Sequence, residues 1–242
     1  MKKQFDIIVY PTSTLENTIQ DPALEYFPSL SINDSLHFTT AEWIIILHHD
    51  LHKHFSVNHL NEIANVCLEF PMIDCFSPIL EFLDTKLSPY LLDYSKGVTP
   101  QNKVEGALYD YVAAPHPYLT IVSRRIVQRT GALDLSFPLN LQFVAWGLRM
   151  YHAQGKVFSF PLQNFSMQSS FNTDVLSHHK ELALVLHKNL GFKKAIDFMK
   201  KNFSWLSLFY FIKNYRTIRK KRRKATLLSP LRDADLEKLY HS

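Results

Sequence analysis

The 242-residue chain is 46% hydrophobic, 13% aromatic and 20% charged, which excludes a disordered polypeptide and suits one substantial core with a small appendage. Two cysteines, Cys67 and Cys75, eight residues apart, exclude a disulfide framework or a zinc ribbon and fit a reducing compartment. The net charge of +5 is local: residues 213 to 224 hold eight Lys and Arg and no acid, leaving 19 basic against 22 acidic residues elsewhere, so the basic character belongs to the tail.

In chain order, Phe5 to Tyr10 (FDIIVY) is a β-branched apolar run stopped by Pro11-Thr12-Ser13, and it reads as a buried strand ending in a polar loop. A short helix is expected around Ser35 to Glu42. Trp43 to Leu47 (WIIIL) is a second strand, stopped by His48-His49-Asp50. Asn58 to Glu69 places Leu60, Ile63, Ala64 and Cys67 at helical spacing, with Asn58 as the expected N-cap and Pro71 just beyond the end. Further strands are expected at Ile73 to Leu80 and Tyr118 to Val122. The second of these leads into a short helix over Ile126 to Arg129, closed by Gly131. A long helix over Leu141 to Gln154 is followed by Gly155 and a strand at Lys156 to Leu162, and another helical stretch covers about 175 to 200. Strands alternating with helices predict an α/β fold with a sheet packed on both faces. The six glycines form no Gly-rich phosphate loop, which excludes P-loop and dinucleotide-binding readings. The N-terminus has no apolar signal segment and no run is long enough to span a bilayer, so a cytoplasmic chain is expected.

Three segments in order carry a resemblance: Ser31-Ile32-Asn33-Asp34-Ser35 with Ala41 to Asp50; Ile121 to Val127 with Gly131-Ala132-Leu133-Asp134; and Leu148-Arg149-Met150 with Gly155 to Phe158. Together they resemble family-2 glycosyltransferases of the GT-A fold, with Leu47-His48-His49-Asp50 standing as a His-x-Asp variant of the metal motif. The resemblance covers most of residues 5 to 170. It implies a single GT-A-like α/β domain, 1–172, with a mostly parallel central sheet flanked by helices, then a helical extension, 173–202, and a C-terminal tail, 203–242. It also implies transfer of a sugar from a nucleotide-sugar donor to a lipid-linked or surface-polysaccharide acceptor, with inversion.

The chemistry follows from elementary considerations. A divalent cation bridging the donor diphosphate neutralises charge that grows as the glycosidic bond breaks. A carboxylate at the C-terminal end of a buried strand is placed to hold it, because ligand crevices of open α/β sheets lie outside those ends. Asp50 has that position. His48 as a second ligand favours Mn2+ over Mg2+. The expected donor side comprises Pro11, Thr12, Ser13, Asn33, Asp34, His48 and Asp50, and the acceptor side Asp134 and Arg149. Asn164 is the nearest match to the His that completes the family's metal site, and Ala145 stands where the family carries its base. One strand stands before the Asn33 loop where the family has two. Loss of the base motivates a second reading, a catalytically silent partner subunit in a glycan assembly complex.

His48 and His52 have the i, i+4 spacing of a zinc hydrolase helix, but they follow a β-branched strand and lack the intervening Glu of that motif. The His116 position, between Pro115 and Pro117, reads as a rigid loop. In the tail, Phe203 to Ile212 is densely aromatic and aliphatic and is followed at once by the basic run. That order predicts attachment of residues 203–224 to an anionic membrane surface, on the inner face of the plasma membrane, rather than to nucleic acid. The competing expectation is that the aromatic half packs on the protein's own core.

Overall fold

The computed structural model describes residues 4–12, 24–81, 86–93, 99–102, 109–162, 178–201 and 205–227. Its strands are β1 (Phe5–Tyr10), β2 (Leu24–Pro28), β3 (Trp43–His48), β4 (Cys75–Glu81), β5 (Lys86–Leu87), β6 (Tyr90–Asp93), β7 (Thr99–Asn102), β8 (Asp110–Tyr111), β9 (Leu119–Ser123) and β10 (Val157–Leu162). Its helices are α1 (Ile32–Leu36), α2 (His49–His52), α3 (Val57–Glu69), α4 (Arg124–Thr130), α5 (Leu139–His152), α6 (His179–Leu190), α7 (Phe192–Lys201) and α8 (Trp205–Leu227).

The main sheet runs in the order β2-β1-β3-β9-β4-β10-β8, with β5 added to the end of β4. β2, β1 and β3 are mutually parallel, as are β4 and β10; β9 lies antiparallel between β3 and β4, and β8 is antiparallel at the edge. This is the α/β arrangement with a mostly parallel core expected from the sequence. The sequence reading provided one strand before the Asn33 loop, whereas the structure has two. β2 escapes notice because its sequence, LEYFP, is a half-exposed edge strand with neither a continuous apolar run nor a clean alternation.

The continuous apolar character of β1, β3 and β9 follows from burial on both sides. Phe5, Ile7, Val9, Trp43, Ile45, Leu47 and Ile121 point to one face, where Leu60, Ile63, Val66 and Cys67 of α3 cover them. Ile8, Tyr10, Ile44, Ile46 and Val122 point to the other, covered by α5 and α6 with contributions from α7 and α8. The period-two division is what a strand buried on both faces requires. Asp6 is the buried exception on β1: its Oδ2 accepts from the backbone N–H of Thr40 at 2.5 Å and of Ala41 at 2.7 Å, fixing the turn that feeds β3.

Most helices lie where periodicity placed them, with shifted ends. The helix expected over 35 to 42 is the shorter α1, Ile32–Leu36, followed by a turn whose Thr39 hydroxyl donates to Leu36 O. The cap of α3 is Ser56, not Asn58, and the His59 Nδ1 accepts from the Ser56 N–H. The single stretch expected at 175 to 200 is two helices. Gly191 ends α6 at φ +103°, a conformation that L side chains rarely adopt, and its N–H bonds back to Leu186 O. Both expected domain boundaries, after 172 and after 202, lie outside the described residues. α6 nonetheless shares one core with α5 and the sheet, through Leu182, Val185 and Leu186.

Gly147, in the middle of α5, is where that helix touches the segment before β9. A Cβ at 147 would stand 2.6 Å from Ala113 O and from Ala114 Cα, both backbone atoms that cannot swing aside. Helix propensity alone makes Gly147→Ala stabilising by about 1 kcal/mol; the clash reverses the sign. The variant is expected to lose about 1 to 3 kcal/mol, read from the urea denaturation midpoint, and a gain in stability would contradict this packing.

Candidate metal and donor site

Because β1 and β3 are parallel and in register, with Tyr10 opposite His48, the chain leaves both strands at the same edge of the sheet. β9 enters the sheet at that edge, Leu119 pairing with Leu47. This end of the sheet is therefore bordered by 10–12, 48–50 and 116–118. The Thr12 N–H bonds Ser29 O, and the Ser29 N–H bonds Val9 O, so the turn leading to α1 adjoins as well.

At His48 the backbone turns from strand to helix. In a continuing strand His48 and His49 would face opposite sides of the sheet; the switch into α2 brings 48, 49 and 50 together instead. One ligand atom from each of His48, His49 and Asp50 lies within 4.8 Å of the others. His48 Nδ1 is 3.4 Å from Asp50 Oδ2, and His49 Nε2 is 2.9 Å from Asp50 Oδ1. Metal bonds of about 2.1 Å place neighbouring ligands of an octahedral ion about 3 Å apart, and the two separations bracket that value. Two imidazoles and a carboxylate thus fit a divalent ion, Mn2+ better than Mg2+.

His48 is the most firmly positioned of the three. Its N–H donates to Tyr118 O at 2.8 Å, and its ring lies between those of Tyr10 and Tyr118, at centroid distances of 5.5 and 5.2 Å. The Tyr10 hydroxyl is itself fixed by donating to Pro117 O. Burial lowers the His48 pKa below its ordinary value; Asp50 pulls it back and His49 adds to the depression. A neutral imidazole is the form that binds a metal.

Of the other expected site residues, Pro11 and Thr12 lie at the same edge, beyond Tyr10, and Asp34 is exposed on α1. Ser13 and Asn164 lie outside the described residues. His52, the second half of the zinc spacing, is buried edge-on against Tyr26 and is not in the metal-capable group. His49 is the member of this group that the sequence reading did not name as a candidate ligand.

Asn33, Asp134 and Arg149 are brought together elsewhere, around the loop 130–134. The Asn33 amide makes a two-way pair with Leu133, donating to its carbonyl and accepting from its N–H, both at 2.9 Å. Arg149 donates to Thr130 O at 3.2 Å and to Ala132 O at 2.8 Å, and the Trp146 indole donates to Gly131 O at 3.0 Å. Burial lowers the Arg149 pKa to about 10, with Asp134 opposing the shift. Asp134 pairs with Lys188 of α6 at 2.5 Å. Its burial, which raises the carboxyl pKa, is outweighed by hydrogen bonds from Lys188 and Ser136, which hold it well below the usual range. Ala145 lies fully buried among apolar side chains of α5 and its neighbours. A carboxylate at 145 would be buried in that core at high cost, so alanine is what the position accepts.

His116 is more than a rigid loop residue. It is fully buried, its Nε2 donates to Pro78 O at 2.8 Å, and its Nδ1 accepts from the N–H groups of Tyr118 and Leu119. It therefore sets the entry of β9 beside His48. Burial lowers its pKa to about 4, partly offset by the Pro78 carbonyl.

No family model matches the chain, and no curated protein matches it. Among solved structures, S. aureus TarS is similar at 11% identity and a TM-score of 0.42, over 84% of this chain and 44% of that chain. A form of S. aureus TarS, 1-349, in complex with UDP-GlcNAc is similar at 11% identity and a TM-score of 0.45, over 84% of this chain and 73% of that chain. The mannosyltransferase PcManGT from Pyrobaculum calidifontis, in complex with GDP-Man and Mn2+, is similar at 10% identity and a TM-score of 0.45, over 99% of this chain and 79% of that chain. The chain thus spans less than half the length of the first of these.

Two outcomes are expected. Asp134→Ala and Lys188→Ala should each destabilise by about 3 kcal/mol, since each strands a buried charge, and the double variant should lose clearly less than the sum. Additive losses would mean that the pair is not coupled. For His116 the folded pKa lies below the unfolded value of 6.5. Its contribution is therefore full above pH 6.5 and is lost as pH falls toward 4, about 3 kcal/mol in all. Denaturation profiles of His116→Gln should be flatter than wild type across that window, whatever its stability at neutral pH; an unchanged slope would refute the assignment.

Proposed function

We propose that the chain is a metal-assisted glycosyltransferase that moves a sugar from a nucleotide-sugar donor to a lipid-linked or surface-polysaccharide acceptor. The observation that carries this reading is the His48–His49–Asp50 group at the C-terminal end of a buried parallel strand, beside the end of β1. Ligands of open α/β sheets are received at that place. A divalent cation held there supplies positive charge to the diphosphate leaving group.

The protein's own residues do the rest. Asp50 and the two imidazoles hold the cation, and Tyr10 and Tyr118 keep the His48 ring in position. Pro11 to Ser13 meet the base or ribose, and Asp34 approaches the donor from the neighbouring turn, which Asn33 holds through Leu133. Asn164 is the remaining residue proposed for the cation. On the acceptor side, Asp134 and Arg149 act by fixing the 130–134 loop. The reacting bond joins the anomeric carbon to a diphosphate oxygen, so orientation and charge neutralisation are what the site must provide.

Titration calorimetry of the full chain with UDP or GDP tests the site. Binding should require Mn2+, with Mg2+ weaker, and Asp50→Ala and His48→Ala should each weaken it by about tenfold or more. His49→Ala should fall in the same range, which the sequence motif alone does not require. Binding that persists unchanged in Asp50→Ala refutes the metal site. A wild-type chain that binds no member of a nucleotide-sugar panel is the silent partner subunit instead.

A further inference from the structure

Helix α8 is split lengthwise into a docked face and an open one. Phe211 and Ile218, seven residues apart, are 3% and 4% exposed and belong to the core shared with α6. Between them the Tyr215 ring stacks on that of His187 at 5.1 Å and 15°, and Phe192 of α7 meets both Phe211 and Tyr215. The expectation that the aromatic stretch packs on the protein's own core is therefore met for one face of the helix.

The other face differs. Trp205, Phe209 and Ile212 are 75%, 71% and 63% exposed. At 100° per residue they share an arc of about 60° with Arg216, one turn further on. Lys213, Arg216, Arg219 and Lys220 are all exposed. The open face thus presents three large apolar side chains at its N-terminal end and cations after them. From Phe192 to Lys224 the sequence has twelve Lys and Arg against one acid, Asp197.

We propose that this open face of α8 lies along an anionic lipid surface, with Trp205, Phe209 and Ile212 entering the headgroup boundary and the cations of 213–220 meeting lipid phosphates. No helix among the described residues is long and apolar enough to cross a membrane, so the attachment is shallow and lateral. Two features select lipid over nucleic acid. The apolar residues are segregated at one end of the stripe rather than interleaved with the cations as stacking platforms are, and Ile212 offers no ring to a base. The attachment is independent of the donor site, and either stands if the other fails.

Flotation of the full chain with vesicles tests the proposal. Wild type should bind phosphatidylglycerol-containing vesicles and not pure phosphatidylcholine, less tightly as salt rises. Replacing Trp205, Phe209 and Ile212 together by Ala should reduce partitioning at least about thirtyfold, with the thermal midpoint unchanged because these side chains contact solvent. Replacing Lys213, Arg216, Arg219 and Lys220 by Glu should abolish the anionic preference. Vesicle binding unaffected by the apolar replacement, tighter binding to single-stranded RNA than to vesicles, or self-association lost in the apolar variant without vesicle binding would each overturn it.

Discussion

The loop 130–134 is the constraint on which one whole side of the molecule depends. It follows α4 half-buried, with Gly131 exposed and Leu133 inside, and its carbonyls and its one carboxylate take partners from other elements. Asn33 comes from α1, Trp146 and Arg149 from α5, and Lys188 from α6. Four side chains separated by more than 150 residues of sequence close on five residues of backbone. α1 in turn sits one turn of chain beyond Ser29, which is bonded to β1. The loop therefore ties α5 and α6 to the turn that follows β1 and β2. The polar groups of Asn33, Trp146 and Arg149 satisfy its half-buried backbone.

How much could be read from the sequence depends on which physics left a trace there. Burial on both faces writes long β-branched runs, and β1, β3 and β9 were legible for that reason. Edge pairing writes nothing comparable, so β2 with its half-exposed LEYFP and the two-residue β5 and β8 left no usable pattern. The antiparallel pair of β6 and β7 was equally silent: TPQN carries a proline and no alternation.

At the site, Asp50 and His48 were legible because a carboxylate follows an apolar strand. His49 was hidden by the strand reading itself. Period-two geometry sends neighbours to opposite faces, and only the change to helix at 49 gathers three consecutive side chains on one side. Asn33 and Arg149 show the reverse. Their positions in the motifs were recognised, but which partner a polar side chain satisfies, a ligand or a backbone carbonyl, is decided by tertiary approach and leaves no mark on spacing. Ala145 belongs with them, since whether a helix position faces a crevice or a core depends on the rotation of α5 against the sheet.

The antiparallel insertion of β9 has a consequence for how such a fold can diversify. β4 leaves the sheet at the edge where His48 stands, and the chain returns to that same edge at His116 to Tyr118 before entering β9. Between these two points the described residues include β6 and β7, which pair with each other and lie outside the main sheet. A change of length there would leave the register of β1, β3, β9 and β10 untouched. The fold can thus vary in this one place without rebuilding the strand that carries His48.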